Sequence, residues 1–239
     1  MPRVQILITA MTHMKAGICT AGFTGFRAGE QPCWVRPVLK QGDVQLALMT
    51  TAEGRVVEPG DVVELDCPVA RPCPPHVEDW VTNYFKPRVK IVETLAADAF
   101  ARFLLANVDA HPDEVLGSHP TRSLCLLRPD EVCVTFALNR QTRYYEARLC
   151  FRQGEVWRPH PPGGKGWPVT DLRWRDFGQR RIEEHVAAGV VEARAALTHA
   201  EVLAAWEADT VVVSIGLSRE FNGNIWPLVI GVFPVRCPG

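Results

Sequence analysis

Lys15, Trp34 and Arg36 stand in one short stretch, MKAGICTAGFTGFRAGEQPCWVRPV, residues 14–38. Two apolar runs, around residues 18–21 and 33–35, are joined there by a glycine-rich segment, so the runs are expected to pair as neighbouring strands of a hairpin. A lysine before the first strand and an arginine closing the second would then converge with the indole on one face, where ring stacking and phosphate contacts hold single-stranded nucleic acid. Each residue also has a plainer use. Trp34 suits a core, Lys15 a solvated turn, and Arg36 a planar carboxylate partner such as Glu78 or Asp79.

A second basic region lies further along. Residues 121–181 hold twelve Lys and Arg against six Asp and Glu. Arg143, Arg148, Arg152, Arg158, Arg173 and Arg175 are expected to form a basic face, because arginine suits both phosphate forks and base stacking. Lys165 joins them from the glycine-rich segment PPGGKGWPVTDLRW, residues 161–174, which also carries Trp167. That segment is not a triphosphate-binding loop: Gly166 follows the lysine where Ser or Thr is needed, and no helix opens there. A net charge of −1 excludes indiscriminate coating of nucleic acid, which is driven by phosphate neutralisation. Acidic residues collect elsewhere, six against one Arg in 41–66 and again in 182–210.

The acids and thiols offer weaker chemistry. PHVEDW, residues 75–80, groups His76, Glu78 and Asp79, which could serve as an acid/base pair or hold a hard cation. Adjacent residues in an extended segment point to opposite sides, so a cap on a following short helix is the expected use. Asp171 is expected to cap the turn after it, with Trp174 packed beneath. Cys67, Cys73 and His76 lack the paired spacing of a structural zinc site. Cys19 and Cys33 have only His13 nearby in sequence and no orienting acid. No catalytic residue, metal or cofactor is expected, and the eight scattered cysteines read as free buried thiols.

Short elements must position these residues. Nineteen prolines and eighteen glycines interrupt the chain often, which favours short strands. Strands are expected at 3–11, 17–23 and 33–39 and within 58–70, then a helix over 94–107 with Leu95, Phe100, Phe103 and Leu104 at helical spacing. Strands resume at 123–129, 132–138 and 144–151. Residues 176–208 read as helical, with Asp176 and Gln179 as N-cap and N3 and a capping box from Thr198 to Glu201. Two closing strands, TVVVSIGL and WPLVIGVFPV, flank an Asn222-Gly223 turn. The expected architecture is mainly β with helical inserts (α+β): two small five-stranded Greek-key barrels, residues 1–110 and 120–239, the second with its insert at about 176–208. The start reads as a strand rather than a signal peptide, and no run of about 18 apolar residues occurs, so a cytoplasmic protein with no membrane partner is expected.

Several of these pieces resemble one family. ILITAMTHMKAGICTAGF is similar to the opening strand, Lys-x-Gly-x-Cys-x-Ala-Gly turn and second strand of the dual OB-containing domain family of prokaryotes. WVRPV, PGDVVEL, PHVEDW, PVTDLRW, VVVSIGL and LVIGVF follow in the family's order. The resemblance implies two OB-like barrels in tandem and a nucleic-acid or nucleotide-linked role in prokaryotic conflict systems, with no reaction. Two departures stand out: Thr12-His13-Met14 before the lysine, and Phe23, Phe26 and Glu30 in the loop at 23–32. The expected function is thus non-enzymatic binding of single-stranded DNA or RNA, or of a nucleotide-derived ligand, in a defence system. The alternatives are an adaptor docking a protein through 182–210, or an enzyme acting on nucleotides through Glu78, Asp79 or Asp171.

Overall fold

The first strand, β1 (Arg3–His13), is buried without interruption from Ile6 to Thr12, so both of its faces must be covered. A computed structural model, which describes residues 3–14, 16–83, 88–159, 165–187 and 189–237, shows how. β1 pairs antiparallel with β2 (Ile18–Thr24) along one edge and with β4 (Asp61–Ala70) along the other. β2 continues to β3 (Cys33–Val38), β3 runs parallel to β5 (Asp79–Asn83), and β5 returns antiparallel to β4. The circuit β1-β2-β3-β5-β4-β1 therefore closes on itself, which is the five-stranded Greek-key barrel of the OB-fold. β6 (Lys90–Thr94) adds to β4, and α1 (Ala97–Ala106) follows it. Phe103 of α1 meets Phe23 of β2 edge-on at 5.2 Å, and Leu104 is fully buried. A short helix, α2 (Asp113–Leu116), leads to β7 (Leu124–Leu127).

The chain divides within β7 into two compact units, Met1–Cys125 and Leu126–Gly239. The second unit opens with β8 (Glu131–Asn139) and β9 (Tyr144–Gln153), which pair along their whole lengths. β10 (Val156–Arg158) and β11 (Trp167–Pro168) both pair with β9. Then come α3 (Leu172–His185), β12 (Glu192–Leu197), α4 (His199–Trp206), β13 (Thr210–Leu217) and β14 (Pro227–Val235). β12 pairs with β8, and Val169 beside β11 makes a parallel bridge to Val229 of β14. The order β12-β8-β9-β11-β14, parallel at its last step, repeats the order β4-β1-β2-β3-β5 of the first unit. The expectation of a β-rich chain with helical inserts and a repeated OB-like outline holds.

Alternation along β8 decides which side is core. Val132, Val134 and Phe136 are buried, while Cys133 and Thr135 between them are exposed. α3 covers the buried side: Trp174 stacks on Trp206 of α4 at 4.7 Å, and the Tyr145 hydroxyl donates to the Arg175 carbonyl at 2.7 Å. Gly178 lets α3 approach closely, since a Cβ there would stand 2.1 Å from the edge of the Phe136 ring and 2.5 Å from the Tyr145 oxygen.

Several expectations are corrected. α3 starts one turn earlier than read: its N-cap is Asp171, whose carboxylate accepts from the Arg173 and Trp174 amides, while Asp176 pairs with Arg180 on the helix surface. The stretch 176–208 is not helical throughout, because β12 interrupts it and gains a full ladder with β8. Asp79 opens strand β5 instead of capping a helix. Among the cysteines, Cys33, Cys73, Cys133 and Cys237 are exposed rather than buried. Among the described residues no helix is long and apolar enough to cross a membrane.

Candidate functional site

Open sheet surface is where the second unit differs from a closed core. Cross-strand partners share a face, so Thr135 and Ala137 of β8 lie beside Arg148 and Glu146 of β9, and beside Ala196 and Arg194 of β12. Thr135, Arg194, Ala196 and Tyr144 on this side are exposed, and Glu146 and Arg148 are half-buried. β11 extends the same face, with Pro168 opposite Arg148.

One acid organises the cations here. Glu146 Oε2 accepts from the Tyr144 hydroxyl at 3.1 Å and from Arg148 Nε and Nη2 at 3.3 and 3.1 Å. Arg148 Nη1 also donates to the Gly166 carbonyl at 3.2 Å, which ties β9 to the start of β11. Gly166 is needed for this approach, because a Cβ would stand 2.7 Å from the Leu149 backbone. Burial alone would raise the Glu146 carboxyl, but Arg148, Tyr144 and Lys165 hold it below its usual value. Lys165 thus stands within electrostatic reach of this cluster and is exposed. Arg143 sits in the β8–β9 turn with φ +57°, exposed beside Tyr144. Neither Lys165 nor Arg143 has an ion pair among the described residues.

The model of the dual OB-containing domain family matches residues 4–232, nearly the whole chain. The chain belongs to the dual OB-containing domain family. No curated protein and no solved structure matches it. Membership in a family built of two OB domains agrees with the closed barrel of the first unit and the repeated strand order of the second, and it marks the chain as an OB-fold binding module.

In OB-folds the faces of the second and third strands, with the loop joining the first two, take oligonucleotides and oligosaccharides. The second unit's counterparts are β9, β11 and the 140–143 turn, and these carry Arg143, Arg148 and Lys165. Arg173 and Arg175, expected on the same basic face, are not there. Both ride on α3: Arg173 lies 5.6 Å over the Phe233 ring, and Arg175 lies 4.8 Å over the Tyr145 ring on the core side. Arg152 pairs with Glu131 at 2.9 Å. The basic face is therefore smaller than expected and partly neutralised by its own acids.

The first unit's cluster resolves differently. Lys15 lies outside the described residues. Trp34 is half-buried, with its ring 3.9 Å from Phe23 across the β2–β3 pair. Arg36 and Asp79 meet where β3 runs parallel to β5, with Nε to Oδ1 at 2.6 Å and side chains only 6% and 3% exposed. A guanidinium so enclosed does not stand on an open face with Trp34, and the carboxylate partner is the role that Arg36 takes. Its Nη2 is buried with no hydrogen-bond partner among the described residues.

The remaining candidates are held by the fold itself. Glu78 accepts from the Ser123 amide and hydroxyl, both at 2.8 Å, and from the Leu124 amide at 3.2 Å. Asp171 is buried and, besides its two cap bonds, accepts from the Val232 amide at 3.0 Å. Burial pushes the Asp171 carboxyl up, while Arg173 and these three amides pull against that rise. Trp174 is 2% exposed, as its place beneath the cap requires. Cys67 shares a hydrogen bond with Thr82 Oγ1 at 3.1 Å, and Cys73 and His76 exchange backbone hydrogen bonds. Tyr144, Glu146 and Arg194 escaped the sequence reading, although Tyr144, Glu146 and Arg148 alternate with the period of a strand.

Proposed function

We propose that the chain is a non-enzymatic binding module whose second unit takes single-stranded nucleic acid, or a nucleotide-derived ligand, on the open face of β8, β9 and β11. The observation that carries this reading is the gathering of Tyr144, Arg148 and Lys165 around Glu146, with Arg143 exposed in the adjoining turn, on the strands and turn that OB-folds use for ligands. Lys165 and Arg143 are the phosphate contacts, Tyr144 the stacking ring, and Arg148 the residue that fixes the cluster to β11. A role in a prokaryotic defence system, which the family resemblance implies, belongs to the same proposal.

Two other readings find less support. Acids of 182–210 are largely employed in local structure: Glu201 completes the capping box, Glu207 pairs with Arg236, and Asp209 accepts from the Cys237 amide. That leaves the adaptor surface thin. Glu78, Asp79 and Asp171 are bound to backbone amides, Ser123 or Arg36, which suits support rather than acid/base catalysis.

Binding of a labelled twelve-residue oligothymidylate, followed by fluorescence anisotropy at low salt, tests the proposal. The parent protein should bind, and Lys165→Glu with Arg143→Glu should abolish binding while leaving the circular dichroism spectrum unchanged. Equal binding by parent and charge-reversed protein would place the ligand elsewhere.

A further inference from the structure

Phe221, Tyr144 and Trp226 are 70%, 59% and 56% exposed, the aromatic rings most open to solvent among the large apolar residues of the described chain. Two of them share the hairpin between β13 and β14, and that hairpin is firmly built. Asn222 and Gly223 both have positive φ, +51° and +74°, as a type I′ turn requires. Phe221 and Asn224 exchange backbone hydrogen bonds of 2.8 and 3.1 Å. Below them the Ser218 amide donates to the Trp226 carbonyl, and the Trp226 amide donates to Ser218 Oγ, each at 2.9 Å. Rings displayed on an ordered tip lose little conformational freedom when a ligand covers them.

Register places this tip relative to the proposed site. β14 runs parallel beside β11, with Val169 opposite Val229 and the Thr170 amide donating to the Val229 carbonyl at 2.8 Å. Counting back along both strands sets Trp226 level with Gly166, next to Lys165. Alternation then puts Trp226 on the side of Leu228 and Pro168, which is the side of Arg148, since Pro168 and Arg148 are cross-strand partners. Gly166 in turn stands level with Cys150 of β9, whereas Tyr144 begins that strand. Tyr144 and Trp226 thus mark opposite ends of one face, about 20 Å apart along the strands at about 3.3 Å per residue. Arg148 lies between them, and Lys165, next to Gly166, stands at the Trp226 end.

We infer, resting on the reading given under Proposed function, that the hairpin supplies a second stacking station through Trp226 and Phe221, and that the ligand is a single strand of at least about four nucleotides. A mononucleotide reaches one station only. A duplex has its bases stacked on each other, so neither ring gains a partner. A single strand spans both stations, with its phosphates over Lys165 at the hairpin end and Arg143 beside Tyr144 at the other, and this length sits at the short end of the range of about 4–16 nucleotides held by one OB-fold.

Anisotropy measurements with fluorescein-labelled oligothymidylates of two, four, eight and twelve residues test this, using the parent chain, Trp226→Ala, Phe221→Ala and Lys165→Ala. In the parent, affinity should rise steeply between two and about four to eight residues and then level off. Trp226→Ala should weaken the twelve-residue complex about five- to a hundredfold while hardly changing the dinucleotide complex, so that the length dependence flattens. Phe221→Ala should act in the same direction. An unlabelled hairpin duplex should fail to compete. If Lys165→Ala weakens binding but both aromatic variants bind every length as the parent does, the hairpin station is wrong and the face stands. If no oligonucleotide binds the parent protein, the face and the hairpin fall together.

Discussion

Arg36 Nε donates to Asp79 Oδ1 at 2.6 Å across the single parallel step of the first barrel, between residues 43 positions apart in the chain. The pair locks β3 to β5 where the backbone also joins them, since the Arg36 amide donates to the Glu78 carbonyl at 2.7 Å. With both side chains buried, removing one partner strands a charge in the interior. Arg36→Ala or Asp79→Ala should each cost about 3–5 kcal/mol in urea denaturation. The double replacement Arg36→Met with Asp79→Leu should cost distinctly less than the sum of the two, because no lone charge remains.

Gly178 in α3 reverses an ordinary rule. An exposed helical glycine replaced by alanine gains about 1 kcal/mol. Here the new methyl would enter space held by the Phe136 ring and the Tyr145 hydroxyl. Gly178→Ala should therefore destabilise the second unit by about 1–3 kcal/mol, read as a lowered urea midpoint with an unchanged slope.

Tyr145 gives the second unit a signature in alkali. Burial raises its hydroxyl above the ordinary value of 10.0, with Arg175 pulling it back and Asp176 pushing it up. The folded state thus holds this proton more tightly than the unfolded chain. Its contribution is complete below about pH 10 and declines as the pH rises from there toward the folded value. Stability measured from pH 8 to 11 should fall more steeply for the parent than for Tyr145→Phe. The variant should also lose about 1 kcal/mol at pH 8, because the Arg175 carbonyl loses its donor.

Alternation made much of the fold legible. Val132, Val134 and Phe136 announce β8, Asn222-Gly223 announces the last hairpin, and Thr198 with Glu201 announces α4. What could not be read depends on partners far away in the chain. β12, EARAAL, has helix-forming composition and becomes a strand because β8 offers it six paired residues. β5 exists because β3 and β4 flank it, which the proline-rich segment before it conceals. At the candidate site, residue type and local sequence mark Arg143, Arg148 and Lys165 but do not separate them from Arg173 and Arg175. The Asp171 cap makes that separation by starting α3 where it does, carrying both arginines away from the open face. Likewise, only folding reveals that Arg36 is enclosed.

The salt dependence of binding tests the central claim most directly. If the open face of the second unit holds a single strand through its phosphates, log affinity for the twelve-residue oligothymidylate should fall linearly with log salt. Lys165→Ala should then weaken binding at low salt and make the slope shallower by about 0.7, one phosphate contact on a single strand. Parent and Lys165→Ala lines that coincide, in both height and slope, would contradict it.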